Sequence, residues 1–387
     1  MGVTGTKGKT TVVELLHEIL KEGGAKVASL SSLRFRIGDK IQINDRKMTM
    51  PGRFFVQKFL HEAAEAGCKY AILEVTSEGI KQFRHRFIRF QTAVMTNVSS
   101  EHIESHGSFE KYLRAKLDLF WRLPKRGLAI INRDDPLYQR FSAATPAHKI
   151  FYGKEGVAIS TKLLAVRHVK INEGGIDFEI NNQVIFSPLL GEFNFYNVLA
   201  AVTAGLSQHV AYEKIAAAVS GVSVIPGRVE FVQKEPFDVV VDYAHTPDSL
   251  KKVYTFLKES NPALICVLGA AGGGRDKWKR PELGRIAAEF CDEIILTNED
   301  SYDEDPASIV EEVSRGVGGK KCKKILDRRM AIREALKLAR GGDAVVITGK
   351  GAEPLMAGPL GAKIPWDDRE VIREELAKIL KYDKRRI

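Results

Sequence analysis

Apolar residues along the first half of the chain recur with two different periods. Short apolar runs predict strands at AKVASLSS, YAILEVTS, TAVMTNVS and GLAIINRD. Between these runs, segments such as 12–21 and 54–66 have the spacing of amphipathic helices. Strands that alternate with helices predict a mostly parallel sheet with helices on both faces, so the expected fold class is α/β.

The pattern changes at about residue 156 and stays different to about residue 190. This segment is rich in β-forming residues and is interrupted by EGG and NN, which predicts antiparallel hairpins added to the parallel sheet. A helix is predicted next, from about Asn197 to Leu206. Residues 1–225 are therefore expected to form one domain that carries the hairpins as an insertion.

A domain boundary is predicted at GVSVIPGRVEF, where Pro226 and Gly227 separate a helical pattern from a new strand. Beyond it, the segments DVVVDYA, ALICVLGAAGGG, DEIILTNED and DAVVITGKG predict strands that end in small or polar residues. Residues 226–387 are thus expected to form a smaller, doubly wound, Rossmann-like domain. Its chemistry is expected in the loops after these strands, because open α/β sheets bind ligands at the carboxyl ends of their strands.

The composition is typical of a globular protein, with 44% hydrophobic and 28% charged residues. The sequence has no apolar run of about 18 residues and no signal-peptide pattern, so no membrane partner is predicted. The four cysteines are scattered without a C-x-x-C pair. This spacing argues against a zinc site or a disulfide framework and favours a reducing cytoplasm.

The net charge of +10 favours anionic partners, but it does not select among nucleic acids, nucleotides and phosphorylated substrates. The basic clusters KQFRHRFIRF and GRDKWKRP are not accompanied by a nucleic-acid recognition motif. We interpret the first cluster as a solvated face. No nucleic-acid partner is therefore predicted.

The segment TGTKGKTT predicts a phosphate-binding loop. Gly5 and Gly8 allow the tight turns that direct backbone N–H groups at phosphate oxygens. Lys9 is expected to reach the β- and γ-phosphates, and the Thr10 hydroxyl is expected to bind Mg²⁺. Val3 stands where the strict G-x-x-x-x-G-K-S/T motif has its first glycine, so a plain glycine-rich turn is the alternative for this segment taken alone.

Ordered segments across nearly the whole chain resemble the Mur ligase family. They are GVTGTKGKTT, LEVTSEGI, TNVSSEHIESHGSFEKYLRAKLDLF, INRDDP, GEFNFYNVLAA, PGRVEFV, VDYAHTPDSL, GGGRDKWKRPELG and TGKGAEP. Within the family they are most similar to the UDP-N-acetylmuramoyl-dipeptide ligases, or tripeptide synthetases. The resemblance implies ATP-dependent addition of an amino acid to the carboxylate of a cell-wall peptide precursor, through an acyl phosphate. We also expect a monomer in the cytoplasm.

The resemblance implies roles for residues of the first domain. The expected catalytic residues are Lys9, Glu74, His102 and Lys116. Thr10, Glu74, His102 and a carbamylated Lys116 are the expected ligands of two Mg²⁺ ions. Carbamylation to N6-carboxylysine would convert the Lys116 ammonium into a carboxylate, and an ordinary helix lysine is the alternative. Nucleotide contacts are expected from Gly5, Thr6, Lys7, Gly8, Lys9, Thr10, Thr11, Asn194 and Asn197.

The resemblance also implies that three residues of the second domain, Arg228, Asp242 and His245, contact ATP. Supplying them from a mobile domain would make closure a condition for chemistry. The residues expected to bind the acceptor or the amino acid are Thr49, Ser77, Arg275, Lys279, Asp300, Tyr302, Gly349 and Glu353.

Several features depart from the family pattern. The domain that holds UDP in full-length muropeptide ligases has no counterpart in the sequence. The alternatives are a trimmed start and a two-domain ligase that holds its acceptor differently. Lys7, Glu78 and Ala352 stand where asparagine, histidine and histidine are common.

The segment TNEDSYDEDP occupies the position of D-N-P-R in diaminopimelate-adding relatives and contains no arginine. Its carboxylates belong to Glu299, Asp300, Asp303 and Glu304. Because carboxylates attract an ammonium group, lysine or another basic amino acid is expected rather than diaminopimelate. A solvated acidic loop is the alternative.

Three other functions remain as alternatives. Two are enzymes, a folylpolyglutamate synthase-like ligase and a pseudomurein-type peptide ligase. The third is a nucleotide-binding module that has lost catalysis. Retention of Lys9, Thr10, Glu74, His102 and Lys116 argues against the inactive module.

Overall fold

The structure is a computed structural model that describes residues 1–99, 103–159 and 162–383. The chain divides into two units, Met1–Ile225 and Pro226–Ile387, each with its own sheet. No helix in the described part of the chain has the length and apolarity needed to cross a bilayer.

The first unit is built on a twelve-stranded sheet. Its strands are β1 (Gly2–Thr4), β2 (Val27–Leu30), β3 (Arg34–Ile37), β4 (Lys40–Ile43), β5 (Tyr70–Glu74), β6 (Thr92–Met95), β7 (Leu128–Asn132), β8 (His148–Gly153), β9 (Gly156–Ile159), β10 (Lys162–Asn172), β11 (Gly175–Ile180) and β12 (Gln183–Ser187). Their order across the sheet is β12-β11-β10-β9-β8-β7-β6-β1-β5-β2-β3-β4. The pairs from β2 to β8 across the centre are parallel, and both ends of the sheet are antiparallel.

The predicted strands are present as β2, β5, β6 and β7, and the hairpins predicted between about 156 and 190 form β9 to β12. The short strand β1 lies in the middle of the sheet, where it pairs with both β5 and β6. Because these strands are parallel, their carboxyl ends meet at one edge. The loops after Thr4, Glu74 and Met95 therefore lie side by side.

Helices cover both faces of this sheet. They are α1 (Lys9–Glu22), α2 (Arg53–Glu65), α3 (Ser77–Lys81), α4 (Ile103–His106), α5 (Phe109–Trp121), α6 (Tyr138–Ala143), α7 (Glu192–Ser207) and α8 (Tyr212–Gly221). One core packs α1, α7 and α8 through residues such as Leu16, Leu199 and Ile215. The opposite core packs α2 and α5 through residues such as Val56 and Leu117. The helix predicted from Asn197 begins earlier, at Glu192.

The second unit has a six-stranded sheet in the order β13-β14-β18-β15-β16-β17. These strands are β13 (Glu230–Gln233), β14 (Asp238–Asp242), β15 (Leu264–Leu268), β16 (Glu293–Leu296), β17 (Lys323–Lys324) and β18 (Ala344–Thr348). Only β13 is antiparallel among the described strands of this sheet, and β14, β15, β16 and β18 are the strands predicted from the sequence.

The other elements of the second unit surround this sheet. They are α9 (Pro247–Ser260), α10 (Lys279–Phe290), α11 (Pro306–Val317), α12 (Arg328–Leu338), the small hairpin β19 (Leu355–Ala357) and β20 (Lys363–Pro365), and α13 (Asp368–Asp383). Residues such as Val241, Ile295 and Ile332 form the core against α12 and α13.

A disulfide joins Cys266 in β15 to Cys291, which lies just before β16. The prediction that the cysteines form no disulfide is wrong for this pair. The two residues are 25 positions apart in the sequence, but the parallel pairing of β15 and β16 brings their Cα atoms to 6.0 Å. Cys68 and Cys322 are free thiols.

Candidate active site

The loop of residues 5–8 connects β1 to α1 and has the conformation that its glycines predict. Gly5 and Gly8 have φ angles of +150° and +82°. A Cβ atom at Gly5 would lie 1.9 Å from Thr96 Oγ1, and one at Gly8 would lie 2.0 Å from Asn197 Oδ1. Both the backbone conformation and the close approach of neighbouring side chains therefore require glycine at these positions.

Asn97, which follows β6, holds this loop in place. Its side-chain oxygen accepts a hydrogen bond from the Lys7 backbone N–H at 3.0 Å, and its side-chain nitrogen donates to the Lys7 carbonyl at 3.1 Å. Its own carbonyl accepts from the Thr6 N–H at 2.7 Å. Gly8 is the N-cap of α1 and supplies no side-chain cap, which leaves the helix start in the form that anion-binding helix termini use.

Two lysines converge on the loop. Lys9 Nζ lies 3.1 Å from the carbonyl oxygen of Gly5 and 2.9 Å from that of Thr6. Lys116 Nζ, from α5, donates to the same Gly5 carbonyl at 2.6 Å and lies 4.4 Å from the centre of the Tyr112 ring. The Lys116 side chain is buried, and the Tyr112 hydroxyl lies 2.8 Å from Thr6 Oγ1. This arrangement concentrates positive charge where a triphosphate would lie.

Glu74 ends β5 beside the loop, and its side chain is only 2% exposed. Its Oε2 atom accepts a hydrogen bond from the Thr10 hydroxyl at 3.0 Å and from the Ser32 backbone N–H at 2.8 Å. The Ser32 hydroxyl lies 3.1 Å from both carboxylate oxygens. Within the described residues, this buried carboxylate thus has only neutral donors as hydrogen-bond partners, so its negative charge is available to a cation.

The other predicted residues of the first unit lie around this carboxylate. Thr49 Oγ1 lies 2.9 Å from Ser32 Oγ, and Ser77 is the buried first residue of α3, three positions after Glu74. Thr11 is buried in the first turn of α1. His102 lies outside the described residues.

Asn194 and Asn197 lie in the first two turns of α7, and both are buried. Asn197 Nδ2 donates to Asn194 Oδ1 at 2.9 Å, and Asn194 Nδ2 donates to the carbonyl of Leu190 at 2.8 Å. The contact between Asn197 Oδ1 and Gly8 described above brings this pair of amides next to the phosphate-binding loop.

In the second unit, the residues predicted to contact ATP cluster at the end of β14. The Asp242 carboxylate accepts two backbone N–H bonds, of 2.7 and 2.6 Å. His245 Nδ1 lies 2.7 Å from the Tyr243 carbonyl oxygen, and the Arg228 guanidinium lies 4.5 Å from the centre of the Tyr243 ring. These contacts fix the three predicted side chains relative to one another.

The residues predicted to bind substrate in this unit cluster at the ends of β15, β16 and β18. Arg275 donates to the Tyr302 hydroxyl at 3.2 Å. Burial opposes the charge of Arg275, but neighbouring groups that include Tyr243 and Tyr302 outweigh this effect and raise the pKa of the guanidinium. Glu353 accepts from the Tyr243 hydroxyl at 3.2 Å. Lys279 is the buried first residue of α10.

Lys350 is a buried cation that links several of these groups. Its ammonium donates to Asp300 at 2.8 Å and to Glu353 at 2.7 Å. Burial opposes its charge, but the Glu353 and Asp300 carboxylates outweigh burial and raise its pKa. Gly349, with φ of +104°, passes so close to Glu299 that a Cβ atom would lie 2.2 Å from Glu299 Oε2.

The acidic loop after β16 differs from the sequence-based interpretation. Asp300 is paired with Lys350, and Glu304 is paired with Lys277 at 3.1 Å and Arg280 at 3.0 Å. Although partial burial acts to raise it, hydrogen bonds from Lys277 and Arg280 lower the pKa of Glu304 to about 2. The premise that these two carboxylates await an external ammonium is therefore wrong, because cations of the chain already neutralise them.

Glu299 has a different environment from its neighbours in this loop. Its side chain is buried, and Oε2 has no hydrogen-bond partner within the described part of the chain. Burial, together with the adjacent Asp300, raises the pKa of this carboxyl group.

These clusters also contain Ser32, Asn97 and Lys350, which were not predicted from the sequence as site residues. Ser32 and Asn97 each follow a predicted strand, at VASLSS and TAVMTN, so the rule that strand ends carry ligands was a usable signal. Lys350 lies in the quoted segment TGKGAEP, but no local pattern indicated which acids it neutralises.

Comparison with known proteins identifies the family. The model of the Mur ligase middle domain matches residues 3–205, and the model of the Mur ligase glutamate ligase domain matches residues 227–351. A UDP-N-acetylmuramoyl-L-alanyl-D-glutamate–2,6-diaminopimelate ligase from Gloeobacter violaceus is 39% identical over 97% of this chain and 77% of its own length.

Solved structures give the same result. A structure of a UDP-N-acetylmuramoyl-L-alanyl-D-glutamate–2,6-diaminopimelate ligase is 30% identical, with a TM-score of 0.64 over 97% of this chain and 78% of its own. Folylpolyglutamate synthase from Mycobacterium tuberculosis complexed with ADP has a TM-score of 0.71 over 98% of this chain and 89% of its own. At 19% identity, that likeness shows the fold alone.

The predicted α/β fold class and ATP-dependent ligase class are confirmed by these matches. The chain therefore belongs to the Mur ligase family, as its ordered motifs predicted.

Proposed function

We propose that this protein uses ATP to join the carboxylate of a UDP-linked muramoyl dipeptide to the amino group of an amino acid. The carboxylate oxygen attacks the γ-phosphorus, and ADP leaves. The amine then attacks the acyl carbon of the resulting acyl phosphate, phosphate leaves, and the attacking nitrogen loses a proton as the amide forms. The observation that carries this proposal is the buried Glu74 carboxylate bonded to Thr10 beside a phosphate-binding loop.

The oxygen atoms at Glu74 fit Mg²⁺. This ion prefers hard oxygen ligands and is usually held by one or two carboxylates together with substrate phosphates. The described residues contain no group of three His, Cys, Asp or Glu side chains that could hold a metal. Glu74 and Thr10 would hold the ion, and His102 and a carbamylated Lys116 are the proposed ligands of a second one. Bound Mg²⁺ neutralises charge on the transferring phosphoryl group.

The loop residues have their own roles in the proposal. Lys9, together with Lys116 in its unmodified state, would stabilise negative charge on the triphosphate, because both ammonium groups lie against the Gly5 carbonyl. The amides of Asn194 and Asn197 are proposed to meet the nucleotide next to Gly8. Together these groups orient the phosphates without any covalent step by the protein.

Residues close to Glu74 are proposed to receive the acceptor. Two successive hydrogen bonds, through Ser32, link Thr49 to the Glu74 carboxylate. Ser77 begins the next helix after the same strand. Arg84 donates to the carbonyl of Met50, the residue after Thr49, at 2.5 Å. A guanidinium there supplies the positive charge that an anionic acceptor needs.

The second unit is proposed to bind the amino acid. Arg275 would receive its carboxylate and Glu353 its ammonium, with Lys279, Asp300 and Gly349 shaping the site. Lys350 bonds both Asp300 and Glu353 but carries one positive charge, so this group keeps one negative charge for the ammonium. The Tyr302 hydroxyl accepts a hydrogen bond from Arg275 and keeps its own proton to donate to a carboxylate. Arg228, Asp242 and His245 are proposed to contact ATP.

The charges in this unit favour diaminopimelate over lysine as the amino acid. Asp300 and Glu304 are already neutralised within the chain, so they no longer favour a side-chain ammonium. Arg275 and Tyr302 together offer donors that suit a carboxylate, which diaminopimelate carries at both ends. The names of relatives such as the Gloeobacter violaceus ligase point to the same amino acid. Lysine is the second candidate, because buried Glu299 keeps one unpartnered oxygen among the described residues.

The proposal is tested by phosphate release and product mass. The assay contains ATP, Mg²⁺, UDP-N-acetylmuramoyl-L-alanyl-D-glutamate and a panel that includes diaminopimelate and lysine. We expect phosphate release only when acceptor and amino acid are both present, with a product heavier by one amino-acid residue. Lys9→Ala and Glu74→Gln should each lower the rate by about 100-fold or more, because each removes a preorganised charge at the transferring group.

A matched control and two contrary outcomes complete this test. Glu62→Gln, which changes an exposed glutamate of α2, should keep the wild-type rate. Mg²⁺-dependent ATP binding without turnover under any acceptor would favour an inactive nucleotide-binding module. Turnover with a folate acceptor instead would favour the folylpolyglutamate synthase-like alternative. Size-exclusion chromatography tests the proposed monomer, and cell fractionation tests the proposed cytoplasmic location.

A further inference from the structure

Two adjacent serines at the end of β2 each bind a different buried glutamate. Ser31 Oγ donates to Glu14 Oε1 at 2.9 Å, on the side of α1. Ser32 donates to Glu74 through its backbone N–H at 2.8 Å and lies 3.1 Å from both carboxylate oxygens through its hydroxyl. Both serines lie just after β2, where the Ser31 N–H donates to the Arg34 carbonyl at 3.1 Å and the chain turns.

The direction of the hydrogen bonds around Ser32 follows from the chemistry of its partners. An ionised carboxylate only accepts hydrogen bonds, so the single hydroxyl proton of Ser32 is donated to Glu74. The Thr49 hydroxyl, 2.9 Å away, must then donate its proton to Ser32 Oγ. The hydroxyl protons are therefore donated in one direction, from Thr49 to Ser32 and from Ser32 to Glu74.

We infer that Ser32 is a positioning residue that orients Glu74 for Mg²⁺ and couples this carboxylate to the acceptor at Thr49. This inference rests on the proposed function for the roles of Glu74 and Thr49. Three contacts from one residue fix both oxygens of a carboxylate that is 2% exposed. In many proteins, residues that hydrogen-bond to a ligating carboxylate set its orientation and so change the affinity for the metal.

The hydrogen-bond directions predict whether a bound acceptor strengthens or weakens Mg²⁺ binding. An acceptor carboxylate at Thr49 takes the proton that Thr49 otherwise donates to Ser32. Because hydrogen bonds in a chain strengthen one another, Ser32 then donates less strongly to Glu74 and holds its oxygens less firmly in the orientation that the metal needs. The acceptor should raise the Mg²⁺ concentration needed for half-saturation, and by reciprocity Mg²⁺ should weaken acceptor binding.

The first experiment measures binding of an ATP analogue as a function of Mg²⁺, with calorimetry and without acceptor or amino acid. Ser32→Ala should raise the half-saturating Mg²⁺ concentration by about tenfold, the lower end of the range for partners of metal ligands. Nucleotide binding without Mg²⁺ should not change. Ser32→Thr keeps the hydroxyl and should restore the wild-type Mg²⁺ dependence.

Ser31→Ala is the matched control, because it removes a neighbouring serine hydroxyl that is bonded to a buried carboxylate away from the loop. It should leave the Mg²⁺ dependence unchanged. Thermal melting of each variant checks folding, and Ser32→Gly gives a second variant without the hydroxyl if Ser32→Ala does not fold. Wild-type Mg²⁺ dependence in a folded Ser32→Ala or Ser32→Gly protein would overturn the positioning role.

The second experiment repeats the titration with UDP-N-acetylmuramoyl-L-alanyl-D-glutamate present. The acceptor should raise the half-saturating Mg²⁺ concentration by about threefold in the wild type, the effect of weakening one hydrogen bond, and should have no such effect in Thr49→Val. An equal shift in both proteins would overturn the coupling. If the wild type shows no turnover with any acceptor, the proposed function fails, but the first experiment still decides the role of Ser32.

Discussion

Lys116 and Gly5, which lie 111 residues apart in the chain, are joined by a hydrogen bond of 2.6 Å from the lysine ammonium to the glycine carbonyl. The same carbonyl also accepts a hydrogen bond from Lys9 at 3.1 Å. A helix on one face of the sheet is thereby attached to the phosphate-binding loop. The bond gives the ammonium of a lysine of α5, buried to 2% exposure, a partner next to the place proposed for a triphosphate.

Two substitutions of Lys116 separate its possible states. If Lys116 acts as an ammonium, Lys116→Arg should keep a larger part of the ligase rate than Lys116→Glu. If it acts as N6-carboxylysine, the order should reverse, because glutamate restores a negative charge and arginine does not. Steady-state phosphate release measures both variants, and Lys116→Ala should lose about 100-fold in either case. Wild-type rates in all three variants would contradict any role of Lys116 at the loop.

Replacement of Gly8 by alanine should abolish ATP binding. The new Cβ would lie 2.0 Å from Asn197 Oδ1, and the residue would have to keep a φ of +82°. Gly24→Ala is the matched control, because Gly24 has φ of +85° and no heavy atom within 4 Å of the added Cβ. Both variants should lose about 1 kcal/mol of stability to backbone strain. Calorimetric titration with ATP should show lost binding in Gly8→Ala and normal binding in Gly24→Ala.

His17 should make the protein less stable in mild acid. Burial in α1, together with the charges of Arg36, Lys21 and Arg34, lowers the pKa of this imidazole from 6.5 to about 3. Between those values the unfolded chain binds a proton at His17 that the folded chain does not. This difference should reduce the free energy of unfolding by about 2 kcal/mol from pH 7 to pH 5.

Chemical denaturation at pH 7 and pH 5 measures this loss. His17→Gln should retain more of its stability at pH 5, because the glutamine side chain does not titrate. His61→Gln, which replaces a histidine that is 70% exposed, is the control and should lose as much as the wild type. A His17→Gln protein with the full wild-type loss would show that other groups cause the pH dependence.

The Cys266–Cys291 disulfide should stabilise the second unit. Because the two residues are 25 positions apart, the bond should add about 3 kcal/mol to the free energy of unfolding by restricting the unfolded chain. Unreduced, denatured protein should react with thiol reagent at two positions, Cys68 and Cys322. Four reactive thiols before reduction would show that the bond is absent.

The control for the disulfide is the Cys68→Ala/Cys322→Ala protein. It should lose stability on reduction as the wild type does, since it keeps the bonded pair. The Cys266→Ala/Cys291→Ala protein should have the lower stability with and without reductant.

Much of the fold was predictable because its signals are local. Apolar runs such as YAILEV and DVVVDYA are long enough to identify buried strands by themselves, and their alternation with helices fixes the parallel arrangement. The phosphate-binding loop was equally local, because Gly5, Gly8 and the start of α1 lie within a few residues of one another.

The partners within the site were not predictable in the same way. Ser32 and Glu74 are 42 positions apart, and Lys7 and Asn97 are 90 positions apart, so only the order of strands in the sheet brings them together. The charge state of the acidic loop depended on Lys350, 50 positions after Asp300. A count of acidic residues in one segment therefore gave the wrong interpretation of that loop.

The sequence by itself determined the elements, the phosphate-binding loop and the ordered motifs of the family, because each depends on residues that are neighbours in the chain. Only the tertiary structure decided that Ser32 holds Glu74, that Lys350 neutralises Asp300, and that Cys266 meets Cys291. Hydrogen bonds, ion pairs and disulfides act over a few ångströms in space. Their partners are thus chosen by the pairing of strands, which no single segment of the sequence contains.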